Sequence, residues 1–191
     1  MAARVAGRGH LRTSKIRQMA PSPESESESE SESESMTVLV EPDYFQFYVR
    51  RSAAPWASAD VTEQGYAEHL WTDGQFVYVG TLRKFGTTPL DLTVRRSRPG
   101  EPDREWQHVA EISLGPGGPL ELFSWGPDLP IMVVPVPSGD LRVRVSWTGL
   151  VQGRYEGMDE QGESDERLSL EAWPEAPQPA AVIRQWKGWS L

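Results

Sequence analysis

The chain of 191 residues contains no cysteine and only three histidines. Without cysteine there is no disulfide framework, no thiolate metal site and no thiol nucleophile, and the composition suits a reducing cytoplasm. His10, His69 and His108 have no second histidine at ligand spacing, and the zinc-protease pattern of two histidines flanking a glutamate is missing. No apolar run approaches the roughly 20 residues that a membrane span needs. The N-terminus lacks the apolar segment of a secretory signal, so no membrane partner is expected. Phosphate loops, dinucleotide fingerprints and serine-nucleophile motifs are also missing. Gly115-Pro116-Gly117-Gly118 is glycine-rich, but no helical pattern follows it to hold a phosphate. No cofactor is expected.

Basic patches are scarce as well. The net charge is −9. Arg4, Arg8, Arg12, Lys15 and Arg17 carry the positive charge of the first twenty residues, and from Glu24 to Ser35 the chain alternates glutamate and serine. Setting these two blocks aside leaves 22 acids against 14 bases in residues 36–191, so that part is acidic in its own right. Nucleic-acid binding through phosphate neutralisation needs a basic face and is disfavoured. The Ser-Glu repeat has no apolar side chain to offset its ordering entropy, which makes residues 1–35 a disordered leader by composition. Residues 36–191 then form a single domain.

What the chain does have is period-two alternation. Leu141, Val143, Val145 and Trp147 alternate with Arg142, Arg144 and Ser146, as one dry and one wet face of a strand require. Leu90, Leu92 and Val94 repeat the pattern, as do Leu168 and Leu170. Strands are expected over Thr37–Glu41, Tyr44–Arg50, Phe76–Arg83, Leu90–Arg96, Trp106–Leu114, Leu120–Trp125, Ile131–Val136, Leu141–Thr148, Leu168–Trp173 and Val182–Trp186. Asp73-Gly74, Arg98 to Asp103, Gly115 to Pro119 and Pro137 to Asp140 supply the turn chemistry between them. This spacing predicts an all-β, antiparallel β-sandwich of Greek-key or jelly-roll type. Thr62 can cap a helix toward Leu70, but Gly65 would cost about 1 kcal/mol there, so a loop or single turn is expected.

Eight tryptophans stand at 56, 71, 106, 125, 147, 173, 186 and 189. Trp106 and Trp147 run in phase with the aliphatic residues of their strands and are expected in the core. His108 shares that phase, as a hydrogen-bonded core or seam residue, and Glu111 falls on the opposite, solvated face. Trp56, Trp125, Trp173, Trp186 and Trp189 fall outside the apolar phase or outside clean strands, so their exposure would carry functional information. The most polar insertion is acidic: Glu156, Asp159, Glu160, Glu163, Asp165 and Glu166, with no base between them. It lacks the register of a calcium loop, and as an acidic surface it suits a basic protein partner. Glu156, Asp159, Glu160, Glu163, Asp165, Glu166, Trp56 and Trp125 are thus the candidate partner-binding residues. No residue is assigned to catalysis or to a metal.

Several stretches carry a resemblance. Tyr44-Phe45-Gln46-Phe47-Tyr48-Val49, the Gly80-Thr81 to Gly86 hairpin, Glu105 to Glu111, Ser138 to Val145 and Leu168 to Pro174 together resemble a group of actinobacterial all-β proteins. That resemblance implies a fold and no activity. Pro55-Trp56, Gln64-Gly65-Tyr66-Ala67 and the Gly139 turn are similar to the competence protein J family, over roughly residues 54–145. This second resemblance implies an acidic protein that blocks a nuclease. The leading expectation is a non-catalytic sandwich that binds a protein, as an inhibitor or immunity factor for a nuclease or toxin. Its alternatives are a carbohydrate-binding module with a row of exposed tryptophans, and a hydrolase with two carboxylates in one cleft.

Met36 stands immediately before the first strand-like segment and is expected to serve as the start of the native protein. Mass measurement of the natively expressed chain checks this, and an intact species beginning at Met1 would remove it.

Overall fold

A computed structural model describes residues 33–52, 61–124, 129–150 and 165–188. The elements run β1 (Glu34–Val40), β2 (Gln46–Arg51), α1 (Glu63–Glu68), β3 (Leu70–Thr72), β4 (Phe76–Gly80), β5 (Thr88–Val94), β6 (His108–Leu114), β7 (Leu120–Phe123), β8 (Met132–Val134), β9 (Leu141–Thr148), β10 (Arg167–Pro174) and β11 (Ala181–Arg184). They form two sheets, ordered β1-β5-β10-β9-β6-β11 and β3-β4-β2-β7-β8. The expected all-β sandwich is therefore present. Among the described residues every ladder is antiparallel except β10 with β5, which run parallel. Hairpin reasoning from local turns does not see this pair, because β10 inserts between two strands that precede it in the chain.

The alternating residues meet between the sheets. Val143, Val145 and Trp147 of β9, Leu168 and Leu170 of β10, and Leu90 and Leu92 of β5 pack against Phe47 and Val49 of β2 and Val77 and Val79 of β4. Trp147 is fully buried, and its indole Nε1 donates to the Gly80 carbonyl at 2.9 Å, a hydrogen bond from one sheet to the other. Gly80 has no alternative: a Cβ there would lie 2.5 Å from Nδ1 of His69.

Several local expectations are corrected. β1 begins at Glu34, two residues inside the Ser-Glu repeat, and Glu34 and Ser35 pair with Val94 and Thr93. Pairing to an existing edge supplies what composition alone could not. α1 forms despite Gly65, with the Thr62 hydroxyl accepting from the Gly65 N–H at 3.0 Å. A Cβ on Gly65 would come within 2.7 Å of Trp71, so the glycine lets the helix sit against β3 and tertiary contact outweighs propensity. β3 itself, three residues long, gives too short a pattern to be read.

The largest correction concerns the outer face of the six-stranded sheet, where Arg142, Arg144, Ser146 and Glu111 were expected in water. All four are buried. β5 ends at the opposite end of the sheet from where β6 begins, so residues 95–107 must run back across this face. Glu111 is 1% exposed and sits among three guanidinium groups: Arg142 Nε at 3.2 Å, Arg144 Nε at 2.9 Å and Arg98 Nη2 at 3.1 Å. Arg144 also donates to the Gly100 carbonyl at 2.8 Å, and Arg98 reaches Glu175 at 3.0 Å. Trp173, expected to carry functional information if exposed, lies fully buried under Arg144 and Arg98.

Replacing Glu111 with leucine leaves Arg142 buried without a counter-charge and Arg144 with only the Glu171 carboxylate, 3.6 Å away. The expected loss is about 3–5 kcal/mol of folding stability, read by denaturant unfolding. Arg98→Ala, at a half-exposed position, should cost much less. Equal effects would overturn this account of the buried cluster.

Candidate functional site

One end of the sandwich gathers the loops β1–β2, β4–β5 and β9–β10, because β1, β4 and β9 finish there while β2, β5 and β10 begin there. Of the expected partner-binding residues, Trp56, Trp125, Glu156, Asp159, Glu160 and Glu163 lie outside the described residues, as does Trp189. The acidic insertion nonetheless leaves and re-enters the fold at this end, through Leu150 and Asp165. Asp165 is exposed.

Glu166 is a correction. It is 1% exposed, and its Oε1 accepts the Leu82 N–H at 2.7 Å. The physical reason is strand phase: Glu166 shares parity with Leu168, Leu170 and Ala172, all turned into the core. Grouping it with the acids before it obscured a signal that was present. Burial raises its carboxyl to about 7, against the opposing pull of the Leu82 and Arg83 N–H groups and the Arg83 charge.

The β1–β2 and β4–β5 loops are tied by Thr81 N–H donating to the Phe45 carbonyl at 2.8 Å. Tyr44 and Phe45 both adopt positive φ, 48° and 69°. Neither is glycine, and such a conformation costs roughly 1–2 kcal/mol per residue. The strain places Tyr44 outward, 61% exposed, with Phe85 at 5.4 Å between ring centroids, edge to face. The Lys84 ammonium lies 5.0 Å from each of the two ring centroids. Two aromatic rings and a cation thus form a platform in which Tyr44 is exposed on strained backbone and Phe85 and Lys84 are partly buried, next to where the acidic insertion re-enters. Sequence reasoning placed Tyr44 at a strand start and missed the platform, since consecutive left-handed residues leave no mark in the alternation.

The remaining titratable groups are used structurally. His108 is buried; its Nδ1 accepts the Trp186 N–H at 3.3 Å, which leaves Nε2 to donate to the Glu68 carbonyl at 3.0 Å. This fits the expected seam role. Burial lowers both histidines, His69 down to about 3, with His108 adding to the push. The two buried carboxylates among the described residues, Glu111 and Glu166, lie on opposite faces of the six-stranded sheet and share no cleft. Trp186 is half-buried against the core and Trp173 is buried, so neither contributes to a solvent-facing row.

Glu166 makes stability depend on pH. The folded chain keeps its proton to about pH 7, whereas an ordinary glutamate loses it near 4.5. Between those values the native state binds more protons than the unfolded state, so stability falls as pH rises. The wild type should lose on the order of 3 kcal/mol relative to Glu166→Gln across that window. Denaturant unfolding of both chains over the pH range checks this, and a pH-independent difference would overturn it.

No family model matches the chain, and no curated protein matches it. Its fold is similar to that of ComJ, inhibitor of the DNA degrading activity of NucA, from Bacillus subtilis, with a TM-score of 0.53 at 11% identity over 76% of this chain and 98% of that one. It is also similar to crocagin biosynthetic gene J, with a TM-score of 0.47 at 16% identity over 76% of this chain and 99% of the other. At these identities the likeness is one of fold.

Proposed function

We propose that this chain is a non-catalytic protein-binding sandwich, acting as an inhibitor or immunity factor for a nuclease or toxin. The observation that carries the reading is Tyr44, exposed on strained backbone, with the partly buried Phe85 and Lys84 packed beside it. Strain of this kind persists where the fold over-determines it and clusters at functional positions. Tyrosine is also among the residues that dominate binding energy at protein interfaces. The acidic insertion beside the platform would steer a basic partner toward it. The fold shared with a nuclease inhibitor supports the same reading. So does the structural use of Glu111, Glu166, His69 and His108, which leaves these buried groups committed to the fold.

Affinity capture from native cells with the wild type and with Tyr44→Ala tests the proposal. A partner held by the wild type should bind the variant about 2 kcal/mol more weakly, roughly thirty-fold. Adding the wild-type chain should also suppress that partner's activity. Recovery of no stable partner at low, intermediate and high salt, or a partner indifferent to Tyr44, would overturn the reading.

A further inference from the structure

The glycine-rich stretch from Gly115 to Gly118 has no helix behind it to hold an anion, but a guanidinium lies beneath it. β2 carries Arg51 to the end of the sandwich opposite Tyr44, in phase with Phe47 and Val49, so its side chain turns inward. Three loops close over it there. The Arg51 N–H donates to the Gln75 carbonyl of the β3–β4 loop at 3.1 Å, and the Ser52 N–H donates to the Pro119 carbonyl of the β6–β7 loop at 2.8 Å. Nη2 of Arg51 donates to the Gly117 carbonyl at 2.6 Å and to the Pro137 carbonyl of the β8–β9 loop at 3.4 Å. Arg51 keeps no exposed surface.

Its charge is not matched. Arg142 and Arg144 are buried to a similar degree and share Glu111. Arg51 forms no ion pair among the described residues, and its Nε and Nη1 have no hydrogen-bond partner there. Burial pushes the guanidinium below its usual value, and the Asp140 charge opposes this without an ion pair. A buried ion in this state costs several kcal/mol unless an opposite charge reaches it.

The cover is thin at one place. Gly117 is itself exposed, yet a Cβ on it would lie 2.7 Å from Cβ of Arg51 and 3.1 Å from its Nε. One glycine therefore separates Nε from water. The N–H groups of Gly117 and Gly118 make no hydrogen bond among the described residues. Nε and Nη2 share one edge of the guanidinium, the edge that pairs side-on with two oxygens of a carboxylate or phosphate. The Gly117 carbonyl occupies only the Nη2 half of that edge.

We propose that this edge of Arg51 is a binding site for an oxyanion, a phosphate or a carboxylate, admitted by a shift of Gly117. The anion takes the place of the Gly117 carbonyl on Nη2 and gives Nε an acceptor. Gly117 and Gly118 supply N–H donors at the mouth. Bonds between two charged groups are roughly twice as strong as neutral ones, so the exchange favours the anion. The site stands at the far end from Tyr44 and does not rest on the protein-binding reading above.

The test titrates the full chain with sodium phosphate, and separately with sodium acetate, at an ionic strength held constant with sodium chloride. NMR follows the Arg51 Nε–H and the Gly117 and Gly118 amides. At least one anion should give a saturable shift at all three groups, and the tighter binder separates a phosphate from a carboxylate source. Arg51→Met replaces an uncompensated ion with an apolar chain of similar length, a change that folds commonly tolerate. It should abolish the shift at the two glycines. Asp140→Asn removes a competing negative charge and should tighten binding roughly two- to five-fold, a readout that stands whether or not Arg51→Met folds. No saturable shift with either anion, the same shift with chloride alone, a response retained by folded Arg51→Met, or affinity unchanged by Asp140→Asn would each overturn the proposal.

Discussion

The Glu111 carboxylate holds together the part of the molecule that differs from a simple two-faced sandwich. Arg142 and Arg144 on the neighbouring strand cannot be buried without a counter-charge, since an unpaired ion in such a place costs several kcal/mol. Glu111 supplies most of it, with one oxygen to Arg144 and the other to Arg142 and Arg98, and Glu171 adds a longer contact to Arg144 at 3.6 Å. Only with that charge satisfied can residues 95–107 lie flat over the sheet. The indole of Trp173 then fills the space beneath Arg98 and Arg144, and the remaining donors of Arg144 fasten Gly100. An apolar face would bury as well, but it would not fix the position of a covering loop through directed hydrogen bonds.

A different economy holds at the loop end. Tyr44 and Phe45 accept unfavourable backbone conformations, and the hydrogen bond from Thr81 holds Phe45 in place. Glu166, buried in phase with the core-facing residues of β10, anchors the β4–β5 loop through the Leu82 N–H. The acidic insertion therefore re-enters through a residue bonded to the very loop that carries Lys84 and Phe85.

The sandwich was legible because its inner positions alternate over long strands: Leu141 to Trp147 and Leu168 to Ala172 could face a core in only one phase. What was illegible follows from the other phase. Alternation shows which residues do not face the core, but not whether something else covers them. Arg142, Arg144 and Glu111 were thus assigned to water, because the covering segment, with its prolines and glycine, reads only as turn chemistry. Glu166 was legible by phase and lost by grouping it with the acids that precede it. The platform at Tyr44 and the covering of Arg51 were beyond reach, since both depend on loops brought together from distant parts of the chain.

The titratable groups that burial shifts furthest are bonded into the fold. A general acid or base needs a perturbed group within reach of a substrate. Among the described residues the shifted groups include Glu166, facing Leu82 from inside the core, and His69 and His108, sealed beneath Gly80 and Trp186; Tyr48, Arg51 and Asp91 are shifted as well. Glu166 and the two histidines are shifted by burial first, and burial is what withholds them from a ligand.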